Sequence, residues 1–420
     1  MTILLLALRS LWNRRATALL TIFSIAVSVS LLLGVQKMRV AARDSFANTV
    51  SGVHLIVGAR SGPLNLLLYS IFRVGDATAN VSWESYQKIA RHPDVDWTIP
   101  ISLGDSHRGF RVVGTTTDYF KHYQYGGDRT LAFAEGKPFA DLFDVVLGAE
   151  VARQLGYRIG SEIVIAHGLG RVSFSEHKDK PFRVVGILTQ SGTPVDRSVH
   201  VALEAISAIH IDWQNGVQPA PWARIDAAKA RQAKLTPDSI TAFLVRMQEP
   251  ALIFTMQRSI NQYRGEPLSA VIPGVALTQL WDLVGIADTA LTIVAGFVVL
   301  AGLLGMLTAI LTTLNERRRE MAIMRSMGAR PVHVFSLLMT EAGALALLGV
   351  LTGVVLTFSL LAIAAPLIAQ RYGIFIAPGG LSTMDLVLLL GIVGVALLLG
   401  AYPAWRGYRN TLSDGLSMRI

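Results

Sequence analysis

The chain has 420 residues, of which 52% are hydrophobic and 16% charged, with a net charge of +9 and no cysteine. Soluble domains carry charge on about a quarter of their residues, so long apolar runs in such a chain point to an integral membrane protein. Disulfides and thiolate metal sites are excluded. Three segments, 9–15, 315–331 and 406–419, hold eleven basic against three acidic residues, which is eight of the net +9. Basic segments of this kind stay on the cytoplasmic side and meet anionic headgroups, so the charge calls for membrane lipid and for no nucleic acid.

In chain order, residues 1–15 read as a cytoplasmic amphipathic helix leading into a first span over 16–36. The apolar stretch starts too far in and runs too long for a cleavable signal peptide. Residues 37–282 form an outer domain of nearly balanced charge, too large to be a linker. Within it, Val53–Gly58, Phe110–Gly114, Val145–Gly148, Glu162–Ala166 and Phe182–Leu188 predict strands, being rich in Val and Ile and bounded by Gly or Pro. Ser82–Arg91 and Glu150–Leu155 predict helices, the first with Ser82 at its start. Pro219–Gln232 reads as a peripheral Ala-rich and charged stretch. The apolar segment Leu64–Phe72 fits either domain core or a surface for an apolar partner.

Three further spans follow, over 283–314, 332–368 and 386–405, with a short outer loop at 369–385 and a cytoplasmic tail at 406–420. A span needs about 20 residues. The second and third runs exceed that and are expected to continue past the bilayer as helix. The fold class is therefore an α-helical membrane protein: four transmembrane helices with a large α+β domain inserted between the first and second.

The segment 315–331, NERRREMAIMRSMGARP, is the substantial stretch exposed between the second and third spans. Met321, Ile323, Met324, Met327 and Gly328 recur at helical spacing, and methionine packs adaptably into grooves. Glu316 with Arg319, and Arg317 with Glu320, stand at i,i+3 and can pair; Arg325 adds a basic edge. Gly328 is placed to end the helix before Pro331. From the residues alone, such a helix suits a groove on a soluble partner or the headgroup plane equally.

Several of these segments together resemble the FtsX/MacB-type ABC transporter permeases of the type VII superfamily. They are Leu6–Leu32, Glu316–Ala329 (ERRREMAIMRSMGA), Tyr402–Asn410 (YPAWRGYRN), Val145–Ile165 (VVLGAEVARQLGYRIGSEIVI) and Phe182–Leu188 (FRVVGIL). His54–Phe72 is similar to a segment of one branch of that family. The tail Thr411–Ser417 departs from the family's usual ending. The resemblance implies a bacterial inner-membrane, multi-pass permease with a MacB-like periplasmic core domain. It implies a docking role for Glu316, Arg317, Arg319, Glu320, Met321, Met324, Arg325, Met327 and Gly328 on a cytoplasmic ABC ATPase dimer. A second permease, identical or a paralogue, completes the complex.

The chain contains no GxxxxGK[ST] loop. It is expected to be a permease subunit without its own nucleotide site or cofactor, with ATP and Mg²⁺ in the partner. The work of the complex is expected to be mechanotransmission for export or extraction of a peptide, lipid, lipoprotein or small toxic molecule, with efflux and lipoprotein release as the forms known in the family. The alternative is an FtsX-like regulator of a periplasmic cell-wall hydrolase. Outer partners are accordingly an adaptor, a lipoprotein or a hydrolase.

Two carboxylates fall within the apolar runs, Asp288 and Glu341, and intramembrane acids are functional candidates. Their plainer readings are a wetted helical extension for Asp288 and a pairing with a neighbouring basic residue, or an interfacial position, for Glu341. The outer domain has eight histidines, yet His210 and Asp212 lack a zinc spacing, and Gly-x-Ser-x-Gly is absent. Neither a metal site nor a serine hydrolase is expected.

Overall fold

The computed structural model describes residues 7, 11–47, 49–168, 177, 179–212, 225–316, 318–372 and 379–409. The N-terminal amphipathic helix of 1–15 and the tail Thr411–Ser417 fall largely or wholly outside the described residues, as do residues 219–224 of the Ala-rich stretch. Two compact units are formed. One holds residues up to Ala41 with Gly285–Leu367 and Ile376 onward; the other holds Ala42–Val284 with Ile368–Phe375.

The first unit is built from long helices. Among the described residues, four are long and apolar enough to cross a membrane. The first long helix runs Arg15–Ala47, the second Pro273–Glu316, the third Pro331–Tyr372 and the fourth Thr383–Arg409. At 1.5 Å per residue, the 44 residues of the second span about 66 Å, roughly twice a hydrocarbon core. The first helix runs about eleven residues past the end of its apolar run, and the second begins about eleven residues before its own. Hydropathy stops at Lys37 and begins at Val284, but Lys, Met, Arg, Ala and Leu keep the backbone helical past the last apolar turn.

Small residues set the helix crossings. A Cβ on Gly349 would lie 2.7 Å from Ile25 Cβ, and one on Gly353 would lie 2.7 Å from Val29 Cβ and 2.9 Å from the Ala26 carbonyl oxygen. Gly349 and Gly353 form a GxxxG step against the first helix, whose Ile25, Ala26 and Val29 are buried. Ser28 Oγ donates to its own helix at Ser24 and across to the Val298 carbonyl at 3.1 Å. Ala26, Ser28 and Ser30 of the first span are buried and thus serve close packing.

Among the described residues the second unit contains two large sheets and two small two-stranded ones. One large sheet is four-stranded and antiparallel, in the order Leu268–Val271, Leu55–Ala59, Ala242–Met247, Val95–Ile101. The other is mixed, with Phe182–Leu188, Asp144–Leu147, Ser198–Ala202 and Phe110–Thr115 as neighbours at its centre. Its apolar centre includes Val112, Val145, Phe182, Val184 and Val201. The stretch Glu162–Ala166 is divided between Glu162–Ile163, paired with Arg183 and Phe182, and Ala166–His167, paired with Ser106 and Asp105. Trp83–Ala90 is a helix whose Ser82 hydroxyl accepts from the Ser85 N–H. Leu64–Phe72 resolves as core: Leu66, Leu67, Tyr69 and Ile71 are buried, and Leu68–Phe72 winds as a single π-turn segment.

One buried base in this unit has a measurable consequence. His200 is fully buried against Tyr119 and Phe120. Burial, and then the charge of Arg73, hold its imidazole down from 6.5 to about 3. Between these values only the unfolded chain takes up the proton, so stability is complete above pH ~6.5 and falls as pH drops toward ~3. Moving from pH 6.5 to 5 should cost about 2 kcal/mol through this residue. His200→Phe should shrink the difference between unfolding midpoints at pH 7.5 and 5; an unchanged difference would contradict the assignment.

Candidate functional site: a short helix capping the membrane bundle

The segment after the second long helix folds as a helix over Arg318–Ser326. It ends in a left-handed residue, Gly328 at φ +97°. The Ala329 N–H donates to the Met324 carbonyl at 3.0 Å and the Gly328 N–H to Arg325 at 3.0 Å. This is a Schellman closure, and it needs glycine because a side chain at that φ is strained. The chain then turns into the third long helix: Pro331 takes the first helical position, and His333 Nδ1 accepts from the Arg330 N–H at 3.0 Å. A sharp stop, a two-residue gap and a capped start hold the short helix close to the two it joins.

The two faces of this helix differ. Met321 is only 6% exposed and packs with Leu314, Val334, Leu338 and Ala404, with Met324, Phe335 and Met339 half-buried around them. Apart from Met324, which is on the short helix itself, these residues belong to the ends of the second, third and fourth long helices. On the other side Ile323 is 49% exposed and Met327 75%. Of the methionines expected to dock together, Met321 is therefore spent inside the chain and Met324 largely so. Met327 and Gly328 are exposed, and Arg325 is half-buried. Ile323, not among the expected docking set, joins Met327 on the bare side because it sits two positions from Met321, across the helix. Arg317 lies outside the described residues, and so do the side chains of Glu316, Arg319 and Glu320; the pairings expected of them fall there too.

The two intramembrane carboxylates are placed differently. Asp288 Oδ2 lies 2.7 Å from Arg39 Nε, an ion pair between the second and first long helices. Arg39 went unrecognised as its partner because the apolar run ends before it. Glu341 is 7% exposed and is not without a polar partner. A second ion pair that the sequence reading missed lies nearby in the chain: Lys37 Nζ is 2.7 Å from Asp385 Oδ2 and donates to the Gly380 carbonyl at 2.9 Å. Asp385 also accepts from the Ser382 N–H while Ser382 Oγ accepts from the Asp385 N–H, a reciprocal cap on the fourth helix. Residues 37 and 39 of the first helix are thus tied to the fourth and the second.

In the outer domain His210 and Asp212 face different partners. His210 Nδ1 hydrogen-bonds with the Ile206 carbonyl, whereas Asp212 binds the buried Lys180 ammonium at 3.1 Å.

Two family models match the chain. Residues 292–412 match the FtsX-like permease C-terminal domain. Residues 16–263, more than half of the chain, match the MacB-like periplasmic core domain. The chain belongs to the FtsX/MacB-type ABC transporter permeases. It is a multi-pass inner-membrane protein with a periplasmic domain, of a family that is generally non-catalytic.

Curated relatives are distant. The pyoverdine export ATP-binding/permease protein PvdT of Pseudomonas aeruginosa is 25% identical over 76% of this chain and 42% of its own length. The macrolide export ATP-binding/permease protein MacB of Nitrobacter winogradskyi is 23% identical over 71% of this chain and 42% of its own. The lipoprotein-releasing system transmembrane protein LolC of Xylella fastidiosa is 24% identical over 65% of this chain and 64% of its own. This permease spans less than half the length of the first two. The extracellular domain of the noncanonic ABC-type transporter YknZ from Gram-positive bacteria aligns at 10% identity and a TM-score of 0.31, over 52% of this chain and 98% of that one.

Proposed function

We propose that this permease transmits ATP-driven motion from a separate cytoplasmic ATPase dimer, through the short helix Arg318–Ser326, to its periplasmic domain, and that the motion exports or extracts an apolar or peptidic cargo. Residues 315–331, the N-terminus and the tail lie in the cytoplasm on this reading; 37–282 and 369–385 lie outside. The observation that carries it is the two-sidedness of the short helix. Its Met321 side is locked onto the ends of three long helices, and its Ile323 and Met327 side is bare. A body docked there moves the helices with it rather than a slack loop.

The two long helices that flank the domain in sequence run unbroken past their apolar stretches, which suits a mechanical strut. ATP and Mg²⁺ belong to the partner, and a second permease, a copy or a paralogue, completes the assembly. Export or extraction is favoured over hydrolase regulation by the large size of the 37–282 domain and by relatives whose names specify export and lipoprotein release. Docking energy equal in the two states would transmit nothing, so ATP must favour one arrangement of the helices.

The ion pair Arg39–Asp288 would keep the two struts in register. Arg39→Glu should lower cargo-coupled ATP turnover by about fivefold or more while insertion is kept. Adding Asp288→Arg should restore it. Full activity in Arg39→Glu, or no rescue by the double reversal, would count against the strut reading.

A further inference from the structure

The membrane unit carries a groove of about 770 Å³ between the start of the first long helix and the end of the second. Its lining includes Asn13, Arg14 and Arg15 together with Ala16, Leu20, Gly305 and Ala309. We propose that this groove binds one anionic phospholipid of the cytoplasmic leaflet, with the phosphate on the arginines and an acyl chain along the floor. The inference rests on the topology proposed above.

Three features fix the chemistry. The first is that the groove is graded. Its cations stand at the start of the first helix, which on the proposed topology is the level of the lipid phosphates, and Trp12 beside them is exposed, as aromatic side chains are at a membrane interface. Arg14 is positioned by donating to the Thr313 carbonyl at 3.3 Å, which bridges the two helices across the mouth. Arg15 is exposed next to it. A guanidinium fork suits the paired oxygens of a phosphate diester.

The second is that the groove's threonines do not compete for the headgroup. Thr17 Oγ1 donates to the Arg14 carbonyl, Thr21 to Thr17, Thr308 to Leu304, Thr312 to Thr308 and Thr313 to Ile310. Each hydroxyl is satisfied by its own helix, and what it offers the groove is a methyl group. A wall that looks polar by composition is apolar in effect below the arginines.

The third is that the floor is kept open. A Cβ built on Gly305 meets no atom within 4 Å. By contrast Gly302, one turn away, is closed by Ser28 Oγ at 2.7 Å. Gly305 thus leaves room on the groove's side of the helix, and two arginines in a mostly apolar lining match an anionic lipid rather than a second copy of this basic helix start.

The test uses the full chain purified in detergent and loaded from mixed micelles with phosphatidylglycerol or phosphatidylcholine, with retained lipid counted by native mass spectrometry. One phosphatidylglycerol per chain should be held, with at least a tenfold preference over phosphatidylcholine. Arg15→Gln should erase the preference. Gly305→Leu, whose side chain enters the groove rather than the core, should abolish retention without lowering the unfolding midpoint. Equal retention of both lipids, or retention untouched by Gly305→Leu, would overturn the proposal. So would displacement of the lipid by millimolar inorganic phosphate, because a bare anion site needs no acyl floor. An oxidant-induced disulfide between two Leu20→Cys chains that excludes lipid would overturn it in favour of a dimer contact. Labelling Arg325→Cys from inside and Asp94→Cys from outside separates the two readings: reversed labelling sinks the topology, while normal labelling with no selective lipid sinks this inference alone.

Discussion

Replacing Ile323 and Met327 together with aspartate is expected to abolish association with the ATPase. Both side chains lie on the bare face of the short helix. An apolar anchor at the centre of an interface is worth about 2 kcal/mol or more, so two buried charges should weaken binding by more than about a hundredfold. Insertion and the unfolding midpoint should stay near the wild type, because neither residue supports the bundle. Met321→Asp is the contrasting variant. It places a charge among Leu314, Val334 and Leu338 and should lower stability before it alters docking. Co-purification of the ATPase, read alongside thermal unfolding, separates the two. Normal co-purification of the Ile323/Met327 variant would remove the docking assignment.

The second large effect is expected at the helix crossing. Gly353→Leu drives a side chain into Val29 and the Ala26 carbonyl, and backbone there cannot step aside. Overpacking of this kind costs about 3 kcal/mol, or on the order of 10 °C in Tm. Gly296→Leu, where an added Cβ meets nothing within 4 Å, is the control and should be neutral. If the two variants unfold alike, the close crossing is not what holds the first and third helices together.

Much of this architecture can be read from residues alone. Apolar runs locate the four membrane helices because lipid leaves little choice but helix, and the order of family-like segments supplies the rest. What escapes is informative. Val95–Ile101 hides because Pro100 argues against a strand; it is tolerated because the strand lies at the edge of its sheet. Ala242–Met247 and Ser198–Ala202 have no glycine or proline directly beside them, and Leu268–Val271, though framed by Pro267 and Pro273, is only four residues long. At the site, helical spacing finds the methionine stripe but not which side faces inward. Met321 and Met327 have the same chemistry, and only the packing of Leu314, Val334 and Ala404 assigns one to the bundle and the other to solvent. The pairs Arg39–Asp288 and Lys37–Asp385 join residues about 250 and 350 positions apart, and no local pattern encodes such pairings.

The most direct test of the account measures the periplasmic domains of the assembled complex as ATP binds. Spin labels at Asp94→Cys on two permease copies, read by pulsed electron resonance, should report a shifted distance distribution when ATP is trapped on the ATPase. The shift should vanish in the Ile323/Met327 double-aspartate variant. Identical distributions with and without nucleotide, or a shift that survives that variant, would contradict transmission through the short helix.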